Sequence, residues 1–288
     1  MSVPLAVLTP VVAAERRRPG ISLLHNKTLL AGIALLFVIV MMVVLAPVLA
    51  PADPNQQNLF NVLARPGPGH LLGTDDLGRD TWARLLYGGR VDLMIGVSAV
   101  IAPFILGSTL GLLAGYLGGW VDAVIMRVLE VVVAFPFYVL IIAVVFALGA
   151  GVSSIFIAIT AVGWVSYCRI VRGEVLVAKR LGYVEAARAA GLSTPRILIR
   201  HLTPNVLTQA LIYSMSDIVL TILAVVTLGF LGLGVQPPTA EWGAMLQAGF
   251  ENILTDPILG TVPGIAVVIT GLAFSLIGDG LAAEFGKP

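Results

Sequence analysis

The sequence predicts an all-α polytopic membrane protein with six transmembrane helices and a cytoplasmic loop between spans 4 and 5. Three observations carry that prediction. Of the 288 residues, 58% are hydrophobic and 11% charged, and the mean hydropathy is +0.99, far outside the soluble range. The charges are clustered, leaving uncharged runs long enough for spanning helices, which need about 20 residues each. Basic residues collect in alternate segments, and that bias assigns each segment to a side of the membrane.

Residues 1–28 read as a cytoplasmic N-terminal leader carrying Arg16, Arg17, Arg18 and Lys27. No charge occurs from Thr28 to Ala52, so a first transmembrane helix is expected over 29–50. A cleaved signal peptide would have an apolar region of only about 7–15 residues, which this run exceeds. Residues 51–91 form an extracytoplasmic loop with Pro51, Pro54, Pro66 and Pro68. Within it, acidic and basic residues alternate closely (Asp75, Asp76, Arg79, Asp80, Arg84, Arg90, Asp92), which suits a compact, self-paired loop. The string GTDDLGRD lacks both the Walker lysine pattern and the spacing of a calcium loop.

Residues 92–284 make the remaining core, with five further spans. The second lies in Leu93–Val121, ending at a helix-breaking cluster of Gly115, Gly118 and Gly119. Arg127 and Glu130, three apart, share a helix face and read as a structural ion pair near the cytoplasmic end of the third span. From Val131 to Cys168 there are 38 uncharged residues, enough for two helices turned at Gly149–Gly151, the first kinked at Pro136. The fifth span, Asn205–Gly234, carries Asp217 at mid-membrane. Pro237 and Pro238 are expected to stop it, and Trp242 to anchor the interface. A sixth, Ile258–Leu276, returns the chain to the cytoplasm.

Between spans 4 and 5 lies the segment 174–204, which cannot cross a bilayer. With Arg169 and Arg172 it holds nine charges, seven of them basic, and each central charge costs roughly 2.5–3.5 kcal/mol in lipid. Ala186, Ala187, Ala189 and Ala190 favour a short helix, and Gly191 suits its C-terminal cap. Thr194–Pro195 and Thr203–Pro204 each read as an N-cap followed by a first helical residue. The leader and this loop together hold eleven of the 17 basic residues, which places both inside.

The string EAARAAGLSTPRILIRHLTP, residues 185–204, resembles the "EAA" loop of ABC importer permeases. Glu185, Ala186, Ala187, Gly191 and Pro204 fall at the family's positions, with Thr203 where an apolar residue is usual. The strings around 70–93 and 228–246 are similar to the C-type permease subunit of dipeptide, oligopeptide and nickel importers. This resemblance implies the type I ABC importer permease fold, with 174–204 as the loop that couples to cytoplasmic ATPases. It implies a homologous second permease, two cytoplasmic ATPase domains and an extracytoplasmic solute-binding protein as partners, in a bacterial inner membrane with both termini cytoplasmic. ATP and Mg would be used by those partners, with no cofactor, metal or nucleic acid bound by this chain. Cargo would be peptide; nickel or another small solute is the alternative.

Other classes find less support. A stand-alone channel or secondary transporter usually shows internal repeats, and none is evident. An intramembrane enzyme needs a nucleophile with its base, HExxH or paired carboxylates, and no such pattern occurs. No Walker A loop is present either. One further stripe stands out: Gln209, Tyr213, Ser214, Asp217 and Thr221, spaced by 4, 1, 3 and 4, share a face of the fifth helix. A mid-membrane carboxylate must turn from lipid, so the stripe either lines the path between permeases or makes a helix–helix contact.

Charge asymmetry places position 70 outside and position 190 inside. Reporters active only in the periplasm should report at His70 and stay silent at Ala190; the reverse pattern would overturn the six-span arrangement.

Overall fold

A computed structural model describes residues 26–285, so most of the expected leader and the last three residues lie outside the described residues. The described chain consists of helices and turns apart from two isolated backbone bridges in the 67–80 loop. Helix α1 (Lys27–Val44) and the short α2 (Ala46–Leu49) precede that loop. Then come α3 (Thr81–Ser98), α4 (Ile101–Leu117), α5 (Gly119–Val133), α6 (Phe137–Leu148) and α7 (Val152–Ala178). The segment after α7 holds α8 (Gly182–Ala189), α9 (Thr194–Arg196) and a π-helical turn, Ile197–Leu202, that runs into α10 (Thr203–Phe230). Helices α11 (Trp242–Glu251) and α12 (Ile258–Phe285) complete the described chain.

Among the described residues, five helical stretches are long and apolar enough to span, and six if the bent pair α5–α6 counts as one. That pair turns through 87° between Val133 and Phe137. Pro136 removes an N–H and disfavours a helical Phe135, so the expected kink becomes a corner. Helix α6, with 12 residues, is about 18 Å long and too short to cross alone. Helix α3 begins eleven residues before the expected core boundary; its first turns are polar, capped by the Asp80 carboxylate, which accepts from the Ala83 N–H at 2.7 Å. Asp80 also pairs with His70 at 2.8 Å, and Asp75 with Arg79 at 2.6 Å, so the loop is self-paired as its charge alternation predicts.

The most extensive helix contact joins α4 to α7. Its seam is Gly107, Gly111 and Gly115, spaced by four on α4. A Cβ at Gly111 would sit 2.6 Å from the Cys168 carbonyl oxygen, and one at Gly115 2.8 Å from Val175 Cβ. Without water to drive association, lipid-embedded helices join through such close backbone packing. Gly115 therefore packs rather than breaks the helix. The break falls at Gly118 and Gly119, whose φ values of +65° and +54° form an elbow between α4 and α5.

On the opposite side of the bundle, α10 ends at a Schellman motif rather than at Pro237–Pro238. Gly232 (φ +75°) donates to the Gly229 carbonyl, and Leu233 to that of Leu228. Trp242 is buried, not an interface anchor, and its indole N–H donates to the Leu85 carbonyl at 2.9 Å. Glu241, fully buried, caps α11 by accepting from the N–H groups of Gly243 and Ala244 at 2.7 and 2.8 Å. The Asp92 carboxylate of α3 accepts from the Trp242 N–H at 2.9 Å. Burial pushes the Glu241 carboxyl up to about 6, partly offset by the Ala244 and Gly243 N–H groups.

Gly111→Val should destabilise the folded protein by about 3 kcal/mol or more, because rigid backbone lies where the side chain must go; Gly118→Ala meets open space and should cost only the backbone strain of its φ +65°, ψ −154° conformation, about 1–3 kcal/mol. Thermal midpoints in detergent measure the difference. A raised acid pKa means the folded state holds its proton more tightly, so the Glu241 contribution is full below about 4.5, its unfolded value. It is lost as pH rises through about 6. Protection of the α11 amides, corrected for the intrinsic pH dependence of exchange, should therefore fall as pH rises from about 4.5 through about 6, and Glu241→Gln should flatten that fall.

Candidate functional site: the segment between α7 and α10 and the cavities beside it

Helix α8 is amphipathic on a short scale. Val184 and Ala187 turn inward and are buried, joining a cluster with Val175 and Ala178 of α7, and Ile197, Leu202 and Val206 on the α10 side. Glu185, Ala186, Arg188 and Ala189 face outward. Of the two alanines after Glu185, Ala186 is thus the exposed one, and Ala187 seats the helix. Gly191 has φ +74° and closes a Schellman motif: its N–H donates to the Arg188 carbonyl, and that of Leu192 to Ala187.

The second half of the segment differs from the expected pair of capped helices. Ser193, not Thr194, occupies the N-cap of α9, and its side chain makes no capping bond. Nor does the chain restart at Thr203: α9, the π turn and α10 run on as one 37-residue stretch. The Thr203 hydroxyl donates to the Leu198 carbonyl at 2.9 Å, and exposed Pro204, with no N–H to offer, sits where the ladder has widened to π spacing.

Three basic residues fasten this unit to the α4–α5 elbow. Arg172 of α7 grips Asp122 at the start of α5 through two bonds of 2.6 Å. The Lys179 ammonium donates to the Gly115 carbonyl at 2.7 Å, satisfying one of the orphan carbonyls at the end of α4. Arg188 of α8 lies 4.9 Å over the Tyr116 ring and reaches its hydroxyl at 3.3 Å. These partners are 50 to 72 residues apart in sequence, so no local spacing signals them. Arg127 and Glu130, by contrast, meet at 2.9 Å with side chains 80% and 56% exposed, a pair worth little in water.

Two cavities open beside α7 and α10. The upper, about 470 Å³, is lined by Asp217, Tyr213, Ser166 and Arg169 among apolar groups. The lower, about 500 Å³, is lined by Arg169, Tyr213, Gln209, Glu174 and Asp279. The five-residue stripe is thereby divided. Gln209, Tyr213 and Asp217 reach cavity walls. Ser214 is buried with its hydroxyl donating to the Leu211 carbonyl, and Thr221 is buried in packing. Asp217 accepts from the Tyr167 hydroxyl at 2.8 Å, a partner on α7 that is neither Ser nor Thr. Tyr167 in turn sets its ring edge-to-face against Phe104 and Tyr213, at 5.4 and 5.2 Å.

Residues 107–287 match the family described as binding-protein-dependent transport system inner membrane component, and residues 21–66 match the N-terminal transmembrane domain of oligopeptide transport permease C. The glutathione transport permease GsiD of Pectobacterium atrosepticum is 42% identical over 75% of this chain and 72% of its own length. The dipeptide transport permease DppC of Bacillus subtilis is 36% identical over 92% and 86%. The di/tripeptide permease DppC of Pseudomonas aeruginosa is 38% identical over 90% and 88%. Among solved structures, a chain of the MetNI methionine ABC transporter in an inward-facing conformation superposes with a TM-score of 0.56 at 17% identity. That match covers 68% of this chain and 93% of the other, and supports the type I permease fold. The chain belongs to the family of inner membrane permease components of binding-protein-dependent ABC importers.

Proposed function

We propose that this chain forms half of the translocation path of an ATP-driven peptide importer, with 174–204 as its coupling element. The observation that carries the coupling role is the build of α8: an outward face of Glu185 and Ala186 on a helix whose inward face is packed between α7 and α10. Two cytoplasmic ATPase domains, holding ATP and Mg, would close against that face. A homologous second permease would supply the other half of the path, and an extracytoplasmic solute-binding protein would deliver cargo. The chain would lie in a bacterial inner membrane with both termini cytoplasmic. Peptide cargo rests on the relatives' names, which specify dipeptides, di/tripeptides and glutathione.

The mechanism follows from the contacts. A push on α8 moves Val184 and Ala187, and with them α7 and α10, because close-packed interiors transmit displacement rather than absorb it. Arg172, Lys179 and Arg188 carry the same push to the elbow and so to α4. Both cavities lie between helices moved in this way. Gln209, Tyr213 and Asp217 are the stripe residues we assign to the path.

Two substitutions test the coupling role. Gly191→Val forces a β-branched residue to φ +74°, costing about 1–2 kcal/mol or more at the end of α8. Ala186→Arg places bulk and charge on the outward face without touching the seat. Each should cut co-purification of the ATPase by about tenfold, a loss of some 1.4 kcal/mol in docking, while membrane insertion is unchanged. Wild-type co-purification and uptake in both variants would reduce the segment to a connector.

A further inference from the structure

We infer that Arg169 and Asp217 form a charge-sorting pair in the path, Arg169 receiving the anionic group of a peptide and Asp217 the cationic one. The inference rests on the peptide-path reading above and adds the groups that would recognise the cargo. Arg169 belongs to the walls of both cavities, so a solute moving from one to the other passes its guanidinium. It is exposed and has no ion pair among the described residues, which leaves a fork of donors open to a carboxylate. The charged groups therefore alternate down the path: Asp217 in the upper cavity, Arg169 at the junction, Glu174 and Asp279 below.

Asp217 is held for such a role rather than consumed by packing. Tyr167 donates to Oδ2, while Oδ1 takes no donor within the described chain and is not among its fully buried polar atoms. Asp217 and Arg169 line one cavity together, so both charged ends of a short zwitterion meet a counter-charge in the same space. Each cavity, at about 470 and 500 Å³, has the size of a small-molecule site. A lone interfacial arginine would instead turn to lipid headgroups, with no acidic groups set around it on cavity walls.

The test is cargo selection by the intact importer in liposomes, with the binding protein unchanged and an equimolar mixture of labelled Ala-Ala, Ala-Glu and Ala-Lys. The ratio of Ala-Glu to Ala-Lys uptake is read in each preparation, so total activity cancels. Arg169→Glu should lower that ratio by about fivefold and Asp217→Asn should raise it, as expected for unit charges met at close range in a partly desolvated site. If Arg169→Glu fails to assemble, Arg169→Gln should move the ratio the same way with smaller amplitude. A ratio that stays constant, or moves in the same direction in both variants, overturns the pair. If the unmodified complex takes up none of the three peptides on ATP addition, the peptide-importer reading fails, and this inference with it.

Discussion

The approach of α4 to α7 across Gly107, Gly111 and Gly115 is the contact on which the rest of the chain depends. In hydrocarbon there is no water to expel between helices, so association must come from dispersion at short range and from hydrogen bonds. Any side chain at Gly111 would enter the Cys168 carbonyl, and the two axes would part. With the axes close, the end of α4 arrives within reach of the C-terminal end of α7. Lys179 can then cap Gly115, and Arg172 can close on Asp122 across the elbow. A dry seam inside the bilayer thus sets the geometry of polar contacts outside it.

Those polar contacts have a different character from the exposed pair of Arg127 and Glu130. The Arg172–Asp122 bond is bidentate and only about a quarter exposed on each side, so both geometry and partial desolvation favour it. It also joins two helices rather than two turns of one. That distinction matters for a moving part, because a link within α5 transmits nothing, whereas a link between α5 and α7 makes them move together.

Much of the fold is legible in the sequence because lipid punishes error. Uncharged runs had to be helices, and the excess of Arg and Lys had to lie in water, so the apolar spans and the segments between them emerge from composition alone. Gly149–Gly151 and Gly191 were readable as turns because few other residues tolerate positive φ. What escaped were the consequences of tertiary packing. Gly115 and Gly118 look alike in sequence, yet one serves a helix seam and the other an elbow. Thr203–Pro204 carries the signature of a helix start, but a continuous helix with a π turn absorbs the missing N–H and overrides it. Trp242 reads as an interface residue until Asp92 and Leu85, 150 and 157 residues away, take its two N–H groups. The stripe on α10 was assembled from spacing, but spacing gives a face about 100° wide, and the structure splits that width between a cavity and a packed side.

The same two helices, α7 and α10, carry both the seat of α8 and the walls of the cavities, which removes the need for a separate relay between them. Val175 and Ala178 hold α8 from α7, while Arg169 and Tyr167, on the same helix, address the cavity and Asp217. Leu202 and Val206 hold it from α10, and Gln209, Tyr213 and Asp217 continue up that helix at intervals of four. The Tyr167–Asp217 bond ties the two helices at the level of the upper cavity, about 17 Å of helix rise above Val206. A rigid-body shift of α7 and α10 together would keep that bond and move both walls. A shift of one past the other would break it and free the carboxylate. Since a buried polar group without its partner is costly, the bond favours the first motion, and the polar lining would travel as a unit with α8.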